Sequence, residues 1–168
     1  MNALTVGYRF SRTELSTLLQ AMRLGALPGA PLTPVDADTA SETLQRLSRE
    51  GMVMLVDGTL FIDRLIDCLL RAAAGSSSAA ALTDGKRTLV LWKAERMYLL
   101  GDFPEQGACA LTPRQNAESA LSALTDAILR TARPLWAISV SAPERRVNVP
   151  EGSELSNREI ACSVMELL

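Results

Sequence analysis

Apolar residues recur at Leu15, Leu18, Leu19 and Met22, the i, i+3, i+4, i+7 spacing of one buried stripe, and predict a helix over about 12–24. Ser11 and Glu14 form an S-x-x-E capping box at its start, and Gly25 suits the left-handed position after its last turn. Pro28, Gly29, Pro31 and Pro34 then forbid a regular helix between Ala26 and Val35 and imply a pinned, extended connection. A second helix is expected from Thr39 to Glu50, with Thr39 and Glu42 as its box, Ala40, Leu44 and Leu47 inward, and Gly51 as terminator. Met52–Val56 and Thr59–Ile62 flank Asp57-Gly58, a dipeptide that tolerates the positive φ angles of a two-residue hairpin turn. Asp63 caps a third helix over about 64–74, whose apolar face of Leu65, Ile66, Leu69, Leu70 and Ala73 has to be covered.

Gly75-Ser76-Ser77-Ser78 reads as a linker, although Ala79–Leu82 equally begins a strand. Beyond it, Thr88–Trp92 and Met97–Leu100 are β-rich around a charged Lys93–Arg96 turn, and Ala108–Leu111 adds a short strand. Thr112-Pro113-Arg114-Gln115 has the make-up of a helix start, and the stripe Ala117, Leu121, Leu124, Ile128 continues to about Thr131. Trp136, Ile138 and Val140 alternate with Ala137, Ser139 and Ser141, which predicts a strand with its larger side chains on a core. Arg145–Val149 pairs with it across Pro143-Glu144, and Ser156 and Glu159 cap a last helix carrying Ile160, Val164 and Leu167 or Leu168. Short hairpin strands interleaved with helices argue for an α+β fold: an antiparallel sheet with helices packed on one side, behind an N-terminal helix-hairpin-helix unit. Residues 1–168 are expected to form one domain, with a subdivision at the linker into a helix-rich part (1–75) and a sheet-rich part (79–168).

Composition narrows the chemistry. The 168-residue chain is 48% apolar, long enough to bury a core without a metal or disulfide staple. Its 17 basic and 19 acidic residues divide evenly, 7 and 8 over residues 1–75 against 10 and 11 over 76–168, so neither half carries the positive excess that phosphate binding needs. Nucleic acid is therefore not an expected partner. Histidine is absent, which removes the commonest general base and the commonest transition-metal ligand. The three cysteines, Cys68, Cys109 and Cys162, are far apart and read as reduced thiols, Cys68 as a buried structural one. No basic-then-apolar leader pattern opens the chain and no 18-residue apolar run occurs, so membrane insertion is not expected and a cytoplasmic location is.

Few residues offer themselves for a site. Asp102 and Glu105, in the Gly101–Gly107 stretch, could act as general acid and base or hold a hard cation, but the stretch reads equally as a turn. Ser76–Ser78 lack an activating histidine, and no phosphate-cradling glycine motif is present. No catalytic, cofactor-binding or metal-binding residue is assigned, and no cofactor is expected. Tryptophan and arginine are favoured interface anchors, so Trp92, Phe103, Arg145 and Arg146 are the candidate protein contacts, set against a reading of Trp92 and Trp136 as core sheet residues. The helix-then-hairpin order over Ser11–Ala74 also invites a winged-helix reading. Against it, a dozen Pro/Gly-rich residues separate the two helices, and Arg46 and Arg49 are offset by Glu42 and Glu50.

The order helix, Leu-Gly-Ala-Leu-Pro-Gly, helix, Leu-Gln-Arg-Leu-Ser-Arg-Glu-Gly-Met-Val, strand, Asp-Gly, strand, Asp-x-x-Leu-x-x-x-Leu-Leu resembles the N-terminal half of EspG-type proteins, the secretion-associated chaperones of type VII systems. It is also similar to the layout of uncharacterised Gram-positive proteins. The resemblance spans residues 11–131 as a layout, rests on Leu44, Leu47, Gly51, Asp57-Gly58 and Asp63, and carries over no binding residues. It implies an adaptor or chaperone that holds a helical partner without chemistry. The expected function is thus a non-enzymatic, protein-binding adaptor of bacterial type. The alternatives are a winged-helix DNA-binding regulator and a small carboxylate-dependent enzyme. The breadth of the 64–74 face also makes self-association as a homodimer an expected partnership.

Overall fold

The computed structural model describes residues 7–168. Met1–Val6, part of the stretch read as lacking a leader pattern, lie outside the described residues. In chain order the elements are β1 (Tyr8–Phe10), α1 (Arg12–Ala21), α2 (Ala37–Arg49), β2 (Val53–Val56), β3 (Thr59–Ile62), α3 (Arg64–Ala74), β4 (Ser78–Thr83), β5 (Thr88–Lys93), β6 (Tyr98–Phe103), β7 (Cys109–Arg114), α4 (Ala117–Ile128), β8 (Leu135–Ser139), β9 (Arg146–Val149) and α5 (Asn157–Met165). Seven strands form one antiparallel sheet in the order β1-β7-β6-β5-β4-β8-β9, and β2 and β3 pair as a separate ribbon. The fold is α+β.

Local chemistry fixes most element ends. Ser11 and Glu14 make the capping box of α1, with Glu14 N donating to Ser11 Oγ at 3.0 Å and Ser11 N to Glu14 Oε2 at 2.7 Å. Ser156 and Glu159 do the same for α5, and Asp63 caps α3 through the amides of Leu65 and Ile66. Asp57 and Gly58 both hold positive φ, 49° and 77°, as a type I′ turn demands. Two termini differ from expectation. The residue in the left-handed region after α1 is Arg23, not Gly25, and α2 is capped by Asp36, not Thr39, the Asp36 carboxylate accepting the amide of Thr39 at 2.9 Å.

Helices cover both faces of the sheet, correcting the expectation of one side. Alternate residues of the central strands enter two different cores. Ala79, Val90, Trp92, Leu99 and Phe103 pack with Leu15, Leu18 and Leu19 of α1, Leu47 of α2 and Leu69, Leu70 and Ala73 of α3. Ala80, Leu82, Leu89, Leu91 and Leu100 pack with Ala120, Ala123, Leu124 and Ala127 of α4 and Ile160, Ala161 and Val164 of α5. The period of two along each strand sends successive side chains to opposite layers, so an apolar run such as Leu89-Val90-Leu91-Trp92 signals a strand buried on both faces.

Three further readings are corrected. The serine-rich linker is instead tied down: Gly75 closes α3, Ser77 N donates to Lys93 O at 2.9 Å, and Ser78 opens β4. Thr112-Pro113-Arg114 does not start a helix but ends β7, with Pro113 opposite Leu99 of β6. α4 starts later, capped by Asn116, whose Oδ1 accepts Ser119 N at 2.9 Å. Finally, β8 is turned the other way round. Leu135, Ala137 and Ser139 are buried, whereas Trp136 and Ile138 face outward.

Candidate interaction surface

The buried side of β8 belongs to the layer formed by α4 and α5. In that layer α4 lies over β6 and β7, and α5 over β4 and β9, the two neighbours of β8. The β8 residues in that core are Leu135 and Ala137, with the small Ser139 buried beside them. Trp136 and Ile138 are thereby placed on the same sheet face as Val90, Trp92 and Phe103. In that face Trp136 lies between Thr83 of β4 and Asn148 of β9, and Ile138 between Ala81 and Arg146. Over the central strands the face is roofed by α1, α3 and the Pro/Gly segment. Trp92 Nε1 donates to Pro28 O at 2.8 Å, and Gly29 sits so close to the sheet that a Cβ there would come 2.8 Å from Val140 Cγ2. Gly29 holds φ +76°, so glycine serves both the turn and the approach. The roof ends there. Trp136 and Ile138, just beyond it, are 48% and 39% exposed.

The four contact residues suggested by the sequence fare differently. Trp92 and Phe103 are fully buried, ring centroids 6.2 Å apart and edge to face, so they belong to the core and not to a surface. Their size is what the space between the sheet and α1/α3 requires. Of the two tryptophans the core reading holds for Trp92 alone. Arg145 is exposed and donates to the Glu166 carbonyl beyond the end of α5, while Arg146 stands on β9 directly across from Ile138. Trp136 and Ile138 were missed as surface residues because a tryptophan in an alternating strand reads as buried.

A second exposed apolar group lies on the β2–β3 ribbon. Met54, Leu55, Val56, Phe61 and Leu65 account for five of the nine exposed large hydrophobics among the described residues. Of the apolar face of α3, Ile66, Leu69, Leu70 and Ala73 are buried in the core and Leu65 is exposed. Cys68 is exposed on α3, correcting its reading as a buried thiol; Cys162 is exposed too. Cys109 is the buried one, and burial pushes its thiol pKa up.

The acidic stretch is occupied with structure. Asp102 accepts Arg87 Nη1 on both oxygens, at 3.0 and 2.9 Å, and Arg130 Nε at 3.2 Å. Asp84 accepts the amides of Lys86 at 2.8 Å, Arg87 at 2.7 Å and Ala132 at 2.9 Å, fastening the α4–β8 connection to the β4–β5 turn. Burial alone would raise the Asp84 pKa, but these amide donors outweigh it and hold the carboxyl below its usual value. Glu105, Asp84, Lys86, Arg87, Leu129 and Arg130 line an open depression of about 390 Å³ beside this knot. Three cations, Lys86, Arg87 and Arg130, line it with two carboxylates, Asp84 and Glu105, and two of those guanidiniums are held by Asp102. No cluster of three or more cysteine and carboxylate side chains suited to a metal occurs among the described residues. Nor is any described helix long and apolar enough to cross a membrane.

No protein-family model matches the chain. Over 72 residues it is 31% identical to the non-reducing polyketide synthase aptA of Emericella nidulans, a match covering 43% of this chain and 4% of that protein. A share of 4% transfers none of the synthase's activity to this chain.

Proposed function

We propose that the protein is a non-enzymatic, protein-binding adaptor of chaperone-like type, which seats a helical segment of its partner on the bare β8–β9 part of the sheet. The observation that carries this reading is the exposure of Trp136 and Ile138 on a sheet face that α1, α3 and the Pro/Gly segment cover over the central strands. A partner helix there would complete the layer that α1 and α3 begin, with Arg146 at its rim for a carboxylate. The resemblance to EspG-type chaperones agrees with this and suggests a place in secretion. The two alternatives draw less support. Arg46, the best cation on the winged-helix candidate, is paired with Glu14 at 2.8 Å and Glu50 at 3.2 Å, and residues 52–62 contain no basic side chain. The carboxylate reading would need Asp102 freed from Arg87 and Arg130.

Co-purification from native cells tests the proposal. The full chain is expected to retain one partner in stoichiometric amount, and Trp136→Asp with Ile138→Asp to lose it at least tenfold while the thermal midpoint stays put. Equal recovery by both overturns the sheet surface as the site, and no stoichiometric partner for the wild type overturns the adaptor reading.

A further inference from the structure

The edges of the large sheet and of the ribbon are treated differently by the sequence. The sheet ends in β1, three residues with Arg9 at the centre, and in β9, four residues with Arg146 and a following Pro150; short length, arginine and proline are what blunt an edge against pairing. The ribbon is as short but has neither of the other two. From Val53 to Ile62 its only charge is Asp57 at the tip, it contains no proline, and β2 is the sole strand neighbour of β3 among the described residues. α2 packs against β2, and no described strand lies against the outer edge of β3. A two-stranded ribbon is marginal by itself and gains from further strands.

The hydrogen-bond parity of the hairpin fixes what β3 offers. Around a two-residue I′ turn the flanking pair, Val56 and Thr59, exchange hydrogen bonds, and so does the next pair but one, Met54 and Phe61. Leu60 and Ile62 therefore turn their N–H and C=O groups outward. We propose that β3 pairs antiparallel with β3 of a second copy about a two-fold axis at Phe61, making a four-stranded intermolecular sheet. In this register Leu60 of one copy exchanges hydrogen bonds with Ile62 of the other, twice by symmetry, and the two Phe61 rings meet as a non-hydrogen-bonded pair, the closer of the two pair types.

The charges fit a second copy as well. The same register brings the Asp57 turn of one chain to the first turn of α3 in the other, where Arg64 stands; neither residue forms an ion pair within the described chain. The amino end of α3 adds its own attraction for that carboxylate. Thr59 comes opposite Asp63, whose Oδ1 is committed to the α3 amides and whose second oxygen is left to accept the threonine hydroxyl. Phe61, 51% exposed, and Met54 and Leu65 beside it are the apolar residues the contact would cover.

Sedimentation equilibrium of the full chain from micromolar to millimolar concentration tests this. The wild type is expected to be a dimer, Phe61→Asp to raise the dissociation constant by about thirtyfold or more, and Arg64→Glu by about two- to fivefold. In a Cys68→Ser, Cys162→Ser background, Phe61→Cys is expected to form an interchain disulfide on mild oxidation and Thr59→Cys not to. That arm needs no charged substitution and stands even if Phe61→Asp fails to fold. A monomer at every concentration, a dimer indifferent to Phe61→Asp, or a dimer in which Phe61→Cys stays reduced overturns the proposal. Trp136→Asp should leave the dimer intact, so failure here is distinct from failure of the adaptor reading.

Discussion

The two faces of the seven-stranded sheet are built from similar strand residues but are closed to different extents. On one, α4 and α5 lie over β4, β5, β6, β8 and β9, lined by Ala120, Ala123, Ala127 and Ala161, and the layer is complete. On the other, α1, α3 and the Pro/Gly segment close tightly over β5–β7 and stop before β8, so the same face holds a wholly buried tryptophan and a half-exposed one. Burial is thus a property of what lies above the sheet and not of the residue type in it. An apolar side chain just past the end of a cover is where a partner is to be sought.

The two tryptophans offer the strongest way to break that contrast. Trp92→Ala should cost about 3–5 kcal/mol in urea unfolding, whereas Trp136→Ala should change stability by less than about 1 kcal/mol. Equal losses would mean that β8 is covered after all. Next in size are the effects of added volume. Gly101→Ala would place a Cβ 2.6 Å from both Phe103 Cε2 and Trp92 Cη2, and Ala127→Leu would force apart the complete layer. Each is expected to lower stability by about 1–3 kcal/mol, and enlargement at Ile138 to be tolerated.

The ionic knot at the rim is the third probe. Asp102→Asn should lose about 1–3 kcal/mol, because the Arg87 and Arg130 guanidiniums keep only a neutral acceptor. Calorimetry of Arg87→Ala and the double variant would reveal the coupling, which a merely exposed pair would lack. The smallest effect concerns pH. The folded pKa of Asp84 lies below its ordinary 3.8, so its stabilisation is present above that value and disappears as pH falls through the depressed folded value. Asp84→Asn should therefore narrow the stability gap to wild type below about pH 4 and leave it constant above pH 5, as thermal midpoints across the range would record.

Reading from sequence succeeded where the determining partners are a few residues apart. The boxes at Ser11/Glu14 and Ser156/Glu159, the Asp63 cap and the Asp57-Gly58 turn are each closed by hydrogen bonds within three residues or by the φ preferences of two. It failed where two local rules competed. Thr112-Pro113 suits a helix start, yet pairing of Tyr98 and Leu99 with Arg114 and Pro113 extends β7 through it. The candidate contacts failed for a related reason, since Trp92 and Phe103 have the chemistry of interface anchors and only the arrival of α1, α3 and Pro28 makes them core.

The amino-acid sequence by itself determined the α+β class, the helix caps, the hairpin at Asp57-Gly58 and the absence of histidine chemistry, because these depend on composition and on neighbours along the chain. Only the tertiary structure decided that helices lie on both faces, that β8 turns its tryptophan outward, and that Asp102 is held by Arg87 and Arg130. A strand's alternation defines two sides, but which side is inside is set by the volume of whatever packs there, and that volume comes from residues tens of positions away.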